Sequence, residues 1–364
     1  MRTSAAVVRW KSARIPATAR MGAPNIYDRM IAVTANTQVL LASRPTGWVT
    51  EDNFRIVETE LRSPEGGELI VKNRFLSLDP YMRGRMNDGK SYAKGAELGE
   101  VMIGGTVGEV IASRNGRFKV GDLVVGPLGW QTYAVTDGLM LSKVENASIP
   151  LSAYLGVVGM PGATAWTGLI EICQPRAGET VVVSAASGAV GSIVGQLAKL
   201  QGCRAVGIAG GKAKCDYVVQ ELGFDACVDY KSSSFYDDLK AAVPRGIDCY
   251  FENVGGPVMD TVFRLLNPFS RVALCGLISD YNSTDPYGVK MIRSLLFNRV
   301  KLQGFIVSDR MDLYAKGRAQ LIEWVAAGKI KYRESVAQGL RSAPKAFIGM
   351  LKGENFGKQV VKLD

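Results

Sequence analysis

Hydrophobic and polar residues follow two different patterns along the chain. Between residues 33 and 143 they alternate in short runs that Gly, Pro and Asn interrupt, and such alternation predicts β-strands. The predicted strands include 54–61, 68–77, 101–112 and 122–125. This part of the chain is therefore expected to form an all-β domain.

From residue 162 to about residue 306 the pattern changes to apolar strands that alternate with helical segments. Six strands are predicted, at 181–184, 205–208, 227–229, 247–252, 272–275 and 302–306. Alternation of this kind is typical of a doubly wound parallel sheet in an α/β fold.

The residues after 306 return to the first pattern. A helix at 311–327 is followed by short strands at 334–338, 343–351 and 359–363, which we expect to complete the first domain. The predicted organisation is a basic extension at 1–32, a β-rich domain at 33–157 completed by 335–364, and an α/β domain at 158–334.

A glycine-bearing turn follows the first strand of the α/β part. Strand formers at 180–183 lead directly into this turn and then into a helix predicted at 189–202. Gly188 and Gly191 carry two of the three positions of the G-x-G-x-x-G fingerprint, with Ala186 at the first, so backbone can approach a pyrophosphate at the helix start. The same residues are compatible with a tight turn that binds nothing, but the complete βαβ unit favours a dinucleotide site.

The end of the second strand predicts which dinucleotide is bound. An NAD site places Asp or Glu about 20 residues beyond the glycines, and the sequence has no acid there. It has the tip Ala209-Gly-Gly211-Lys212-Ala-Lys214, whose two ammonium groups favour a 2′-phosphate and therefore NADP (NADPH). Two solvated lysines at a helix start are the alternative, although the helix dipole disfavours them.

The composition excludes several kinds of chemistry. The chain of 364 residues contains no histidine and six cysteines without a C-x-x-C pair, so it lacks a Ser-His-Asp triad and the ligands of an alcohol-dehydrogenase zinc. No metal site is predicted, and hydride transfer has to act on substrates that are already polarised, such as alkenes conjugated to a carbonyl. The scattered cysteines indicate buried thiols in a reducing compartment.

Charge and hydropathy bear on partners and location. Six basic residues and one acidic residue within 1–31 supply half of the net charge of +10, and no Lys/Arg run lies elsewhere, so no nucleic-acid partner is expected. Apolar stretches are well short of the ~20 residues of a membrane helix, so no membrane is expected. We expect a cytoplasmic protein. The Arg-, Ala- and Ser-rich extension is equally compatible with a mitochondrial transit peptide, a disordered tail or a misplaced start codon.

Two tyrosines are candidates for catalysis. When hydride reaches the β-carbon of an enone, charge moves to the carbonyl oxygen, and a tyrosine with a reference pKa of about 10 remains a protonated donor for that oxygen. Tyr281 follows the predicted strand 272–275, and ligands of open α/β sheets bind at the carboxyl ends of strands. Tyr81 lies in the segment 78–84 and is equally compatible with a tyrosine packed after a proline.

Several motifs together resemble a known family. They are Ser77-Leu-Asp-Pro-Tyr-Met-Arg-Gly-Arg-Met86, Gly159-Met-Pro-Gly-Ala-Thr-Ala165, Ala186-Ser-Gly-Ala-Val-Gly191, Glu252-Asn-Val-Gly-Gly256 and Leu351-Lys-Gly-Glu-Asn-Phe-Gly-Lys358. Over about residues 39–363 the chain resembles the zinc-independent medium-chain dehydrogenase/reductase family. Within it, the resemblance is to the group of prostaglandin reductases, alkenal double-bond reductases and bacterial curcumin reductase, and most of all to the last. It implies a GroES-like β-rich catalytic domain, a Rossmann nucleotide-binding domain and a homodimer.

The resemblance also implies the residues of an NADP site. Gly188, Ala189, Val190 and Gly191 would hold the pyrophosphate, while Gly211, Lys214 and Tyr230 would lie on the adenosine and 2′-phosphate side. The nicotinamide and its ribose would be lined by Pro80, Met160, Thr164, Asn253, Cys275, Gly276, Leu277, Ile278, Tyr281, Phe305, Ile306, Val307 and Asn355. By the same resemblance Tyr281 would donate the proton or hold the enolate oxygen, and Tyr81 would cover the substrate. Three of these residues have a structural alternative to a cofactor contact: an interdomain hinge at Met160, a strand-ending turn at Asn253 and a cap at Asn355.

The sequence therefore predicts an NADPH-dependent oxidoreductase. Its expected substrates are α,β-unsaturated aldehydes and ketones, such as 2-alkenals and curcumin-like or oxo-prostaglandin-like enones, whose carbon–carbon double bond it would reduce. An NADPH-dependent quinone reductase and a nonenzymatic NADPH-binding protein are the alternatives.

Overall fold

The computed structural model describes residues 34–144 and 148–363, so the predicted extension at 1–32 lies outside the described residues. Two large sheets dominate this part of the chain, one of seven strands and one of six. The strands are β1 (Ala35–Leu41), β2 (Phe54–Glu60), β3 (Leu69–Ser77), β4 (Thr106–Ser113), β5 (Leu123–Gly126), β6 (Tyr133–Thr136), β7 (Ser142–Lys143), β8 (Thr180–Ser184), β9 (Arg204–Ala209), β10 (Ala226–Asp229), β11 (Ile247–Glu252), β12 (Leu266–Leu274), β13 (Lys301–Gly304), β14 (Glu334–Gln338) and β15 (Lys358–Lys362). The α-helices are α1 (Tyr81–Arg85), α2 (Met160–Trp166), α3 (Gly191–Leu200), α4 (Lys212–Gln220), α5 (Phe235–Ala242), α6 (Gly256–Phe263), α7 (Arg293–Phe297), α8 (Met311–Ala326) and α9 (Ala343–Leu351).

The six-stranded sheet is parallel throughout and follows the order β10-β9-β8-β11-β12-β13. Its central strands are apolar, and every residue of β8 is buried, as a strand covered on both faces requires. The strand order reverses between β8 and β11, and ligands of such sheets bind outside the carboxyl ends of the strands at this reversal. The alternating sequence pattern correctly predicts this Rossmann sheet.

The seven-stranded sheet is built mainly from the first part of the chain. Its order is β14-β15-β3-β4-β5-β7, and β6 also pairs with β3. The C-terminal strand β15 runs antiparallel to β3, so the end of the chain enters the β-rich sheet. The predicted α/β class, with a GroES-like β-rich part beside a Rossmann sheet, is confirmed, while the domain boundaries remain predictions.

Several predicted elements differ from the structure. The strand predicted at 343–351 is wrong, because this segment is helix α9, whose buried residues at 343, 347, 350 and 351 have the spacing of one helix face. The strand predicted at 101–112 begins only at Thr106, because the chain before it passes close to Trp130, where a Cβ on Gly104 would lie 2.8 Å from the indole ring. The helix predicted at 189–202 begins at Gly191, since the residues before it form the turn. The strand predicted at 272–275 is the longer β12, whose exposed residues 268–269 interrupt the apolar pattern.

An aromatic cluster fastens the last helix to the β-rich sheet. Phe54 and Trp130 stack with their ring centroids 5.4 Å apart, and Phe347 of α9 meets Trp130 edge-on at 5.6 Å. Aromatic pairs of this kind contribute about 0.5–1.5 kcal/mol beyond the area they bury. Helix α9 thus belongs to the core of the first sheet. None of the described helices is long and apolar enough to cross a bilayer.

The two sheets are joined where the chain returns to the first one. The Gly357 amide donates to the Ser187 carbonyl (2.9 Å), beside the glycine turn that follows β8. The next residue, Lys358, is buried, and its Nζ donates to Oδ1 of Asp79 at 3.0 Å. A buried ion pair therefore holds the start of β15 against the segment that carries Tyr81.

Asp79→Ala should lower the free energy of unfolding by about 3–5 kcal/mol, because it leaves the Lys358 ammonium buried without its carboxylate. Urea denaturation followed by tryptophan fluorescence measures this quantity. Arg62→Ala breaks an exposed ion pair with Glu68 and should change the free energy of unfolding little, so it serves as the control. A loss below about 1 kcal/mol in Asp79→Ala would contradict a structural role for the buried pair.

Candidate active site

The turn after β8 exposes backbone beside the start of a helix. Residues 188–190 are half-exposed, whereas 186–187 are buried. Ala185 has a left-handed φ of 52°, and its carbonyl accepts a hydrogen bond from the Gly188 amide (2.9 Å). A Cβ on Gly191 would lie 2.3 Å from the same carbonyl, so only glycine fits where α3 begins. A half-exposed turn at a helix N-terminus suits a phosphate group.

A buried carboxylate organises the point where the strand order reverses. Glu252, at the end of β11, is 0% exposed and accepts hydrogen bonds from Ser184 Oγ (2.7 Å), from Tyr250 Oη (2.6 Å) and from two backbone amides. Burial raises the pKa of this carboxyl, and the hydrogen bonds oppose that shift. Sequence reasoning assigned no role to Glu252, although an acid that ends an apolar strand was an available signal.

Asn253 is fixed by the same network. Its amide donates to Ser184 Oγ and its Nδ2 donates to the Ser184 carbonyl, both at 2.8 Å. The loop 275–281 is tied to this point, because the Cys275 amide donates to the Glu252 carbonyl (2.9 Å) and the Asn253 carbonyl accepts a further amide of the loop (3.2 Å). The structure thus brings Asn253 and this loop together at the carboxyl ends of β11 and β12.

Tyr281 places its hydroxyl against the backbone of this loop. A Cβ built on Gly276 would lie 3.0 Å from Tyr281 Oη, so the phenol oxygen lies next to Gly276. Burial, with a smaller contribution from Cys275, raises the pKa of Tyr281 to about 12. The hydroxyl is therefore protonated at neutral pH and can donate a hydrogen bond.

Tyr81 begins α1, directly after Pro80. Burial, followed by the nearby Asp79 carboxylate, raises the pKa of Tyr81, so this phenol is also protonated at neutral pH. Asp79 is the partner of the buried Lys358 ammonium, so the ion pair between the sheets holds the segment that carries this phenol.

Tyr92 is a third phenol of this region, and sequence reasoning missed it. It raises the pKa of both Tyr81 and Tyr281, so the three side chains lie near one another. The Arg85 guanidinium lies 4.3 Å from the centroid of the Tyr92 ring and 5.9 Å from that of the Tyr81 ring. Tyr92 is 57% exposed in an irregular loop, where no periodicity marks a residue as functional.

Helix α2 presents two predicted residues on one side. Met160 and Thr164 are its only half-exposed residues, and Thr164 Oγ1 donates to the Met160 carbonyl (2.8 Å). The helix contacts the short turn that begins at Val307. Residues 305–307 are half-buried, and the Phe305 ring packs edge-on against a phenylalanine of β11 at 6.2 Å between centroids. These predicted residues therefore lie beside the six-stranded sheet.

The outer tip of the site contains an acid that sequence reasoning did not anticipate. The position after β9 has none, as predicted, but Asp229 ends the neighbouring β10, and its Oδ1 accepts the amides of Gly211 (2.9 Å) and Lys231 (3.0 Å). These bonds lower the pKa of Asp229. The ring of Tyr230 lies beside Gly210, where a Cβ would be 2.9 Å from it.

Lys214 and Lys231 are a pair of cations at this tip. The pKa of Lys214 is lowered by burial and by Lys231, and Lys214 Nζ donates to the Gly353 carbonyl (2.5 Å). Within the part of the chain that the structure describes, neither ammonium forms an ion pair with a carboxylate, although the Lys231 charge helps to lower the pKa of Asp229. Lys212, in contrast, is ion-paired with Asp216 at 2.6 Å. Lys231 was missed because it follows the third strand, outside the fingerprint.

Asn355 lies close to the glycine turn. Its Nδ2 donates to the Gly357 carbonyl (2.9 Å), and Gly357 pairs with Gly188 in a β-bridge. The side chain therefore caps its own turn, which is the structural alternative, at a place next to the predicted pyrophosphate site.

These residues fit a nicotinamide dinucleotide phosphate. The turn at 188–190 offers backbone to a pyrophosphate, two cations that form no ion pair among the described residues suit a 2′-phosphate, and protonated phenols suit a carbonyl oxygen. A Rossmann sheet and a GroES-like sheet that carry this candidate site are typical of a nicotinamide-dependent oxidoreductase.

Similarity to known proteins identifies the family of this chain. Residues 37–144 match the family described as N-terminal domain of oxidoreductase, and residues 189–325 match the family described as zinc-binding dehydrogenase. The NADPH-dependent curcumin reductase of Escherichia coli (strain K12) is 46% identical over 90% of this chain and 97% of that protein. The 2-alkenal reductase (NADP(+)-dependent) of Nicotiana tabacum is 44% identical over 91% of this chain and 98% of that protein. The crystal structure of CurA in complex with NADPH from Vibrio vulnificus is 49% identical, with a TM-score of 0.86, and covers 90% of this chain and 99% of that one.

The chain therefore belongs to the medium-chain dehydrogenase/reductase family, in the group that includes the curcumin, 2-alkenal and prostaglandin reductases.

Lys214→Ala should weaken NADPH binding roughly 10- to 100-fold and leave NADH binding nearly unchanged, because a charge-assisted phosphate contact contributes about 1.5–3 kcal/mol. Fluorescence titration with each reduced cofactor measures the two dissociation constants. Lys212→Ala is the matched control, since Asp216 already binds that ammonium. Equal losses for both cofactors would contradict a 2′-phosphate contact by Lys214.

Proposed function

We propose that this protein is an NADPH-dependent reductase of the carbon–carbon double bond in α,β-unsaturated aldehydes and ketones. The observation that carries the proposal is the protonated Tyr281 hydroxyl, which lies next to Gly276 at the carboxyl end of the Rossmann sheet. The names of the similar curcumin, 2-alkenal and prostaglandin reductases support the same substrate class.

NADPH, when bound, supplies a hydride for the β-carbon of the substrate. Charge then accumulates on the carbonyl oxygen as an enolate, and Tyr281 donates a hydrogen bond to that oxygen. The α-carbon receives a proton from Tyr281 or through water. With a pKa of about 12, Tyr281 stays protonated up to about pH 10, so its donor role does not limit activity across the neutral range. We assign to Tyr81 the role of covering the substrate.

We place the cofactor along the carboxyl ends of the six-stranded sheet. The pyrophosphate is assigned to 188–191, and the 2′-phosphate and adenosine to Gly211, Lys214, Tyr230 and, from the structure, Lys231. The nicotinamide and its ribose are assigned to Pro80, Met160, Thr164, Asn253, 275–278, Tyr281, 305–307 and Asn355.

We propose that the reaction needs no metal ion. The chain contains no histidine, and the described residues include no group of three or more Cys, Asp or Glu side chains that could hold a metal. Because conjugation already polarises an enone, a hydrogen bond from a phenol is sufficient to stabilise the developing oxyanion.

We further propose that the protein is a homodimer that pairs through β13. This strand is an edge of the six-stranded sheet, and all four of its residues are exposed. Exposed apolar side chains lie on β13 or on neighbouring segments; they are Phe269, Ile292, Leu296, Phe297 and Leu302. An unpaired strand edge beside an apolar patch is a surface that natural proteins cover, and pairing of two identical edges gives a closed two-fold dimer.

We place this activity in a reducing compartment. All six cysteines are free, as expected for a cytoplasmic protein. The mitochondrial matrix is the alternative if residues 1–32 act as a transit peptide.

NADPH consumption with a panel of 2-alkenals, diarylheptanoid dienones, oxo-prostaglandin-like enones and quinones tests the activity. Enones should be turned over, with reduction at the carbon–carbon double bond identified by mass spectrometry and NMR. Turnover of quinones alone would favour a quinone reductase, and binding of NADPH without any turnover would favour a nonenzymatic protein.

Tyr281→Phe should lower turnover of the best enone at least tenfold and leave NADPH affinity nearly unchanged. The substitution removes only the hydroxyl, and general-acid assistance typically contributes about 10²–10⁴-fold. Tyr133→Phe, in β6 of the other sheet, is the matched control and should retain full turnover. If Tyr281→Phe stayed within about twofold of the parent, Tyr281 would be a structural residue, and Tyr81 or a water would supply the proton.

Leu296→Glu should shift the protein from dimer to monomer at micromolar concentration, because it places a charge in the apolar patch beside β13. Sedimentation velocity measures the mass in solution. Met140→Glu is the control, since Met140 is equally exposed, at 74%, but lies on the β-rich part of the chain. A parent protein that sediments as a monomer would refute the proposed dimer.

A further inference from the structure

Arg83 has a buried guanidinium that links the segment of Tyr81 to the segment of Tyr281. It lies on α1, two residues after Tyr81, and is 3% exposed. Its Nε donates a hydrogen bond to Oδ1 of Asn282 at 3.0 Å. Asn282 directly follows Tyr281 and is itself only 7% exposed. One buried bond therefore connects the segment that carries Tyr81 with the loop that carries Tyr281.

The acceptors around this guanidinium are neutral. Besides Asn282 they are Oδ1 of Asn87 (2.5 Å), the Gly47 carbonyl (2.8 Å) and, more distantly, the Pro45 carbonyl (3.4 Å). None of the described carboxylates forms an ion pair with Arg83, and burial lowers its pKa. A buried cation without a counter-ion depends on its complete set of hydrogen bonds. Each acceptor, Asn282 included, is therefore held to a fixed position relative to α1.

The neighbouring loop shows that this arrangement is specific to Arg83. A Cβ built on Gly47 would lie 3.8 Å from the Asn282 carbonyl oxygen, so the loop that contains Gly47 also packs against the Tyr281 loop. Arg44 of the same loop donates to the Met86 carbonyl (2.9 Å), but among the described residues it makes no bond to the Tyr281 loop. Two arginines thus bind the segment after α1, and only one of them reaches across to Asn282.

We propose that Arg83 is a positioning residue for the reaction, which acts by holding the Tyr281 loop in register with the Tyr81 helix through its bond to Asn282. This inference rests on the proposed function, because it assigns Arg83 to the placement of the two phenols. It touches neither the substrate nor the cofactor in this role. Its contribution is geometric, and misplacement of a reacting group by about 1 Å can cost on the order of 100-fold in rate.

Asn282→Ala removes this single bond without emptying the guanidinium site, so it is the first variant to test. Turnover of the best enone at saturating NADPH should fall at least tenfold, because the Tyr281 hydroxyl is misplaced even when the cofactor site is filled. Asn282→Asp keeps an acceptor for Nε and should retain turnover within about threefold of the parent. Arg44→Met is the matched control and should turn over at the parent rate.

Double variants of Arg83 and Asn282 distinguish a positioning role from a general effect on stability. The double variant Arg83→Met/Asn282→Ala should be no slower than the slower single variant, since both changes remove the same bond. Asn282→Ala should also add little to the loss in Tyr281→Phe, because both act through the Tyr281 hydroxyl. Additive losses in either pair, or an Asn282→Ala variant within about twofold of the parent, would overturn the proposal.

Hydrogen–deuterium exchange tests, without any substrate, whether the Arg83 bond holds the loop that carries Tyr281. In Asn282→Ala the amides of 275–283 should exchange at least threefold faster than in the parent, and in Arg44→Met they should not. If no enone is turned over by the parent, the proposed function fails, and unchanged exchange in Asn282→Ala would show separately that the Arg83 bond does not hold the loop.

Discussion

The candidate site depends on how the chain returns from the Rossmann sheet to the β-rich sheet at Gly357 and Lys358. Gly357 has a left-handed φ of 63°, and a Cβ there would lie 1.9 Å from the Arg333 carbonyl oxygen, so only glycine permits this crossing. Its amide binds the Ser187 carbonyl, and Lys358 then binds Asp79 below the Tyr81 segment. Two adjacent residues therefore set the spacing between the glycine turn and the first phenol.

Much of the fold is predictable from periodicity, but the type and the exact bounds of some elements are not. The strands at Ile247–Glu252 and Glu334–Gln338 coincide with their predicted ranges, because burial on a regular sheet imposes a clear pattern. The strand predicted from residue 101 begins later, at Thr106, because Trp130, which is distant in sequence, occupies the space beside Gly104. Local pattern therefore locates most elements, while a contact distant in sequence decides where this strand begins.

The site is predictable where it follows strand ends and less so where it depends on packing. Tyr281 could be placed because it follows a strand of the parallel sheet, whereas Asn253 was supplied by the resemblance. Tyr92 and Lys231 could not be placed, since their roles arise from an irregular loop and from the neighbouring strand. Glu252 was visible as an acid that ends an apolar strand, but the buried network that gives it a role forms only in the fold. The resemblance supplied residues such as Met160 and Asn355, whose local sequence alone also suits a hinge or a cap.

The preference between NADP and NAD depends on the main chain around Asp229 as well as on charge. One oxygen of its carboxylate, Oδ1, accepts the amides of Gly211 and Lys231, so the acid at this tip is held in place by the main chain. The open space beside Gly211 would admit a second acid, yet the φ of 93° there disfavours any side chain. An evolutionary change toward NAD would thus require the tip to be rebuilt, and the loss of one lysine would weaken the present preference without creating the opposite one.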